Sequence, residues 1–196
     1  MSGIHIGQNL IMMLVKIGKK IMKIKKYIQF VKESTGYDYG CVMVEVPVSN
    51  WDEICSSIDK EDIYEVEGES YGIQENPHLT LLYGTTKDVS TEDVKELLEG
   101  TGEIKIQVNG IDIFENDKFD VVKFNVEKTE QLQNLFDKLS NLPNENTFKD
   151  YTPHMTIAYV KKGMGKKYIK PNYNHSVISN EICFSKPNGE KIYFEI

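Results

Sequence analysis

The chain is short of every residue a metal or disulfide framework needs. It has three cysteines in 196 residues, Cys41, Cys55 and Cys183, and four histidines. The cysteines are far apart and in no metal-ligand spacing, which excludes a zinc cluster and predicts idle or buried thiols in a reducing cytoplasm. Positive charge is also scarce: the formal net charge is −7. That argues against broad binding to duplex DNA, which needs a large basic surface. A small anionic substrate needs only a few local donors and stays open. Long apolar runs are missing too. The longest near the start, Leu10 to Val15, is too short to cross a bilayer.

A local excess of basic residues lies in the first 34 positions. Lys16, Lys19, Lys20, Lys23, Lys25, Lys26 and Lys32 alternate with apolar residues, unlike a signal peptide, which segregates its charge. Three readings stay open: an amphipathic helix on a membrane surface, a surface or disordered leader, and a native start at Met22, preceded by codons for Gly18-Lys19-Lys20 that suit a bacterial ribosome-binding site. Mass analysis of the natural N-terminus decides the last, and a product starting upstream of Met22 overturns it. The expected organisation is thus a leader over 1–34 and one domain over 35–196.

Within that domain strands and helices are mixed. Val42, Val44 and Val46 alternate in a strand over 40–47. Ser49 or Asn50 is placed to cap a helix running to Ile58. An acidic stretch, 59–75, reads as a loop, with Glu65, Glu67 and Glu69 solvated. Pro77 to Gly84 reads as a strand. Ser90 and Asp93 form a capping-box pattern for a helix ended by Gly100. Strands are expected over 104–114 and 119–126, with a turn at Asn116-Asp117. A helix then starts at Thr129, carries Leu132, Leu135, Phe136 and Leu139 on one face and ends at Pro143. Strands over 151–160 and 178–184, and a last one over 191–196, complete the chain, with the glycine- and lysine-rich loop KKGMGKK after the first and a surface His175 in a polar loop. The absence of regular parallel crossover units predicts an α+β class.

Two of these strands repeat each other. Pro77, His78, Thr80 and Tyr83 match Pro153, His154, Thr156 and Tyr159 at one offset. At average abundances near 5%, four identities arise by chance in roughly one in 10⁵ single alignments, so the match predicts two lobes of similar build. Strand alternation sends His78 and Thr80 to one face and His154 and Thr156 to one face, with Leu79, Leu81, Met155 and Ile157 behind them. The same count puts Tyr83 and Tyr159 on the core side. Imidazole titrates near neutrality, so one ring can accept a proton while the other donates one; threonine hydroxyls can donate to phosphate oxygens. A lone His or Thr in a strand is ordinarily structural, and it is the doubling that points to His78, Thr80, His154 and Thr156 as a catalytic set without a metal or other cofactor.

The doubled His-Leu-Thr and His-Met-Thr motifs resemble the two-histidine (2H) phosphoesterase superfamily, which includes 2′-5′ RNA ligase-like proteins. Over 40–196 the resemblance implies two pseudo-symmetric lobes of antiparallel sheet, helices on the outer faces and a central active-site groove. Within the superfamily, GYDYGCVMVEVP, YGIQENPHLTLLYG and YTPHMTIAYV are most similar to the phage anti-CBASS nucleases. That likeness implies cleavage of 3′-5′ bonds in cyclic oligonucleotide immune messengers, in a bacterial host cytoplasm, by attack of the substrate's own 2′-hydroxyl. It also implies an aromatic residue against a base, for which Tyr39 is the positional match and Tyr37 the second. Lys161 and Lys162, with Lys166 and Lys167, are candidates to clamp a phosphate; a solvated lysine loop is the alternative. Short RNA or a 2′,3′-cyclic nucleotide as substrate, and a binding module without turnover, remain the competing functions. No stable membrane association is expected.

Overall fold

A strand that alternates apolar and polar residues can bury its apolar face only against another layer, and this chain builds two sheets that do so. The computed structural model describes residues 38–67, 71–148 and 150–196. The expected 1–34 leader, Tyr37 and Glu69 lie outside them. Eight strands are present among the described residues: β1 (Gly40–Glu45), β2 (His78–Thr85), β3 (Ile104–Glu115), β4 (Phe119–Val126), β5 (His154–Lys161), β6 (Lys170–Ser179), β7 (Glu181–Ser185) and β8 (Lys191–Glu195). They form two four-stranded antiparallel sheets, ordered β2-β1-β7-β8 and β5-β4-β3-β6. The fold is α+β, two lobes of antiparallel sheet, with the repeated motifs on β2 and β5. Each motif strand is the edge of its own sheet, and the two edges adjoin.

Among the described residues three short α-helices complete the layers: α1 (Trp51–Ser56), α2 (Thr91–Leu98) and α3 (Glu130–Leu139). Ser90 caps α2 in a full capping box, its hydroxyl accepting from the Asp93 amide at 3.1 Å while Asp93 accepts from the Ser90 amide at 2.9 Å. Thr129 caps α3. Asn50 precedes α1, but its side chain accepts from the Tyr173 hydroxyl and leaves the helix start uncapped; the helix stops at Ser56 rather than Ile58, the Ile58 amide turning back three residues to the Cys55 carbonyl. α1 and α3 occupy equivalent places, before β2 and β5, and each packs against the other lobe's motif strand. Trp51 of α1 meets Phe124 of β4, and Tyr151 stacks on Phe136 of α3 while its hydroxyl donates to the Thr80 carbonyl. Val42, Val44, Leu79, Leu81, Phe124, Met155, Ile157 and Phe184 share one buried core.

Two expectations about the C-terminal third are corrected. Lys170–Ser179 is a ten-residue strand, not a loop, and it pairs with β3 along Ile104 to Ile111. His175 is therefore a strand residue, half-buried. The strand expected over 178–184 breaks at Asn180, and its halves join different sheets. β6 is an outer strand whose inward positions, Tyr173, His175, Val177 and Ser179, are only half-covered. It therefore carries a weak apolar signal.

Candidate active site

The walls of the site are the outward faces of β2 and β5. His78 and Thr80, and His154 and Thr156, are half-exposed, while Leu79, Met155 and Ile157 behind them are buried. The burial of His154 by its surroundings pushes its imidazole below the ordinary histidine range; the Lys123 ammonium and His78 add to this, and the Thr152 carbonyl opposes it. His78 lies near enough to act on His154, in keeping with the adjoining edges of β2 and β5.

Each ring is held alike. His78 Nδ1 lies 3.0 Å from the Asn76 carbonyl, and His154 Nδ1 lies 2.8 Å from the Thr152 carbonyl. A carbonyl can only accept, so Nδ1 carries the hydrogen in both rings. In the neutral ring Nε2 then presents a lone pair, and in the charged ring an N–H, to whatever fills the cleft. The identical i to i−2 bond in both strands is the second level at which the sequence repeat is a structural repeat. The Thr80 hydroxyl accepts from the Cys41 thiol at 3.9 Å, which leaves its own hydrogen to donate. Burial pushes that thiol up to about 12, so Cys41 is a neutral packing group, not a nucleophile.

The two tyrosines of the repeat are not core residues. Thr80 pairs with Met43 and Tyr83 with Cys41, so β2 spends one extra residue between them. β5 does the same: Thr156 pairs with Lys123 and Tyr159 with Val121. Each β-bulge absorbs a residue and returns the tyrosine to the face of the histidine. The consecutive buried pairs Leu81-Leu82 and Ile157-Ala158 mark the bulges. Tyr83 is 54% exposed, and Tyr39 lies edge-on to it at 6.4 Å. Tyr159 joins Tyr64, Tyr71 and Phe119 in a cluster with centroids 5.0–5.3 Å apart. The site face of each motif strand therefore has a histidine end and an aromatic end, about 15 Å apart at the rise of a strand.

Among the residues proposed for phosphate binding, Lys161 and Lys162 lie beyond the aromatic end. Lys161 donates to the Glu61 carbonyl at 2.6 Å and Lys162 to the Asp117 carbonyl at 3.3 Å. Lys166 pairs with Glu115 and Lys167 with Asp59 and Asp62. The structure does not bring these lysines to the histidines. A different lysine is there. Lys123 of β4 is 2% exposed, points to the same face as Thr156 and sits 4.3 Å over the Phe114 ring, which in turn packs edge-on to His154 at 4.8 Å. Its ammonium donates to Asn125, whose amide reaches Asp112. The signal for it was one charge in the otherwise apolar run VVKF. Among the described residues no group of three His, Cys, Asp or Glu side chains could hold a metal ion, and no helix is long and apolar enough to cross a membrane.

The low His154 value has a consequence for stability. Below about pH 6.5 the unfolded chain takes up the proton that the folded ring resists, so folding weakens as pH falls through that value. The urea midpoint of the protein is expected to drop between pH 7 and pH 5.5, and His154→Gln to drop less; equal slopes in the two proteins refute the assignment.

Comparison with known proteins agrees with this geometry. A family profile described as "2′-5′ RNA ligase superfamily" matches residues 52–169. No curated protein sequence matches the chain significantly. Among solved structures, Usb1 of Kluyveromyces marxianus superposes with a TM-score of 0.53 at 9% identity, over 83% of this chain and 99% of that one. TT0787 of Thermus thermophilus gives 0.52 at 16% identity, over 81% and 94%. Escherichia coli LigT, solved with 3′-AMP, gives 0.51 at 15%, over 81% and 95%. At these identities the likeness to the structures is one of fold, and with the profile covering more than half of its length the chain belongs to the 2′-5′ RNA ligase superfamily.

Proposed function

We propose that the protein is a metal-independent phosphodiesterase in which His78 and His154 are the acid–base pair and Thr80 and Thr156 donate to the non-bridging phosphate oxygens. The observation that carries this reading is the matched pair of imidazoles, each with Nδ1 tied to the carbonyl two residues upstream and Nε2 free for the cleft. Such a pair can move one proton on and one off around a single phosphorus. The substrate's 2′-hydroxyl attacks the adjacent 3′-5′ phosphate, the 5′-oxygen leaves and a 2′,3′-cyclic phosphate end remains.

The preferred substrate in this reading is a cyclic oligonucleotide of the kind used as a bacterial immune messenger, with the enzyme acting for a phage. The net charge of −7 and the scarcity of free lysines along the groove favour a small ligand over a long RNA. Tyr39 and Tyr83, at the aromatic end, give a base a surface to stack on. A second reading, cleavage at RNA ends, is supported by the fold likeness to LigT, which was solved with 3′-AMP, and to Usb1, solved with uridine monophosphate. Incubation in EDTA with cyclic di- and trinucleotides and with short RNA separates the two by relative turnover. Cyclic-phosphate products, and no cleavage of 2′-deoxy analogues, are expected. Intact ligand across the whole panel would leave a binding module instead.

A further inference from the structure

The two halves of the site match in motif, bulge and ring tether, so nothing in the repeat itself says which histidine accepts and which donates. The strands flanking the motifs do not match. In the second lobe the neighbours of Thr156 and His154 on β4 are Lys123 and Asn125. In the first lobe the corresponding neighbours of Thr80 and His78 on β1 are Met43 and Glu45. Directly paired residues of an antiparallel ladder share a face with their β-carbons about 5 Å apart, so these are contacts within the groove.

Lys123 is fixed where it is. It is 2% exposed, lies over Phe114, donates to Asn125 and is linked through it to Asp112. Phe114 spaces its ammonium from the His154 ring, and the two cations of a protonated His154 and Lys123 would share one poorly hydrated corner. The counterpart in the first lobe is an acid, Glu45. Its carboxylate, held by the Lys191 ammonium at 2.6 Å and the Tyr193 hydroxyl at 3.3 Å, lies across the ladder from His78. The charged and titratable groups around His154 are thus Lys123, Asp112 and His78. On the His78 side they are Glu45, across the ladder from it, Lys191 and Tyr193, which bind Glu45, and Cys183, which pairs with Met43.

We propose that these neighbours break the symmetry of the pair: His154 accepts the proton of the attacking hydroxyl, His78 gives a proton to the leaving oxygen, and Lys123 and Glu45 are positioning residues that fix the division. The inference rests on the phosphodiesterase reading above. As O2′–P forms, the O2′ proton passes to His154 Nε2; as P–O5′ breaks, the proton on His78 Nε2 passes to O5′. Charge and protons balance without a co-reactant.

The test uses substrates with sulfur in place of the bridging 5′-oxygen, because a thiolate leaves without being protonated. Wild-type turnover of the oxygen substrate first tests the underlying reading. On the sulfur substrate His78→Ala is expected to recover to within about tenfold of wild type, while His154→Ala stays depressed by about 10²–10⁴-fold. Recovery of His154→Ala instead, or equal recovery of both, overturns the assignment. Glu45→Gln should slow the oxygen substrate about tenfold more than the sulfur one, as loss of an aid to the general acid requires; equal slowing removes Glu45 from the proposal. A third measurement needs no activity. In Lys123→Met the NMR titration of His154 is expected to move to higher pH, with His78 as internal reference, and an unmoved His154 midpoint removes Lys123 from the proposal.

Discussion

His78→Ala and His154→Ala are each expected to lose about 10²–10⁴-fold in kcat on a cleavable phosphodiester in EDTA, with the urea midpoint of folding changed little. Both rings are half-exposed and tethered by one bond to a carbonyl that is itself near solvent, so removal opens no core cavity. The double variant is the sharper case. Acid and base act on one proton inventory in one transition state, so losing the second costs much less than losing the first. The expected double variant is within about tenfold of the worse single variant. Additive losses would show two groups working in separate steps, and a single variant with wild-type turnover would remove that ring from the chemistry. Thr80→Val and Thr156→Val, assayed alongside, report on donors to the phosphate rather than on proton transfer, and leave the shape of the pH profile unchanged.

The part of this site visible in the sequence was the part written in residue identity at a constant offset. Two histidines and two threonines recur 76 positions apart, and alternation alone sets each pair on one face. The same alternation misplaced Tyr83 and Tyr159, because a count by twos assumes an unbroken pleat. The bulges beside Leu82 and Ala158 reverse the count, and no turn residue announces them. Lys123 was hidden for a different reason. Its place in the site comes from cross-strand neighbours, Thr156 and Asp112, on other strands, and register cannot be read from a single strand. The separation of β6 from β7 at Asn180 is likewise a long-range decision: β6 follows β3 into one sheet and β7 follows β1 into the other. The helix caps at Ser90 and Thr129, which depend on residues three apart, were legible because their physics is local.

Phe124→Ala is expected to cost about 3–5 kcal/mol of folding free energy, a large share of what a domain of this size has in total. The ring is fully buried on the back of β4, stacked at 5.0 Å on Tyr173 of β6 and tilted at 6.2 Å against Trp51 of α1. It therefore joins the second lobe's sheet to the helix lent by the first, and a cavity there cannot be closed by one element shifting alone. Its ladder partner is Met155, between His154 and Thr156, so the same packing that holds the lobes together also holds the back of a motif strand. Urea unfolding measures the loss directly. If the interlocked arrangement is right, the variant loses turnover in step with the fraction unfolded, and Phe124→Leu, which keeps most of the volume, recovers most of both. A Phe124→Ala protein within 1 kcal/mol of the parent would mean that α1 does not lock the sheets in solution.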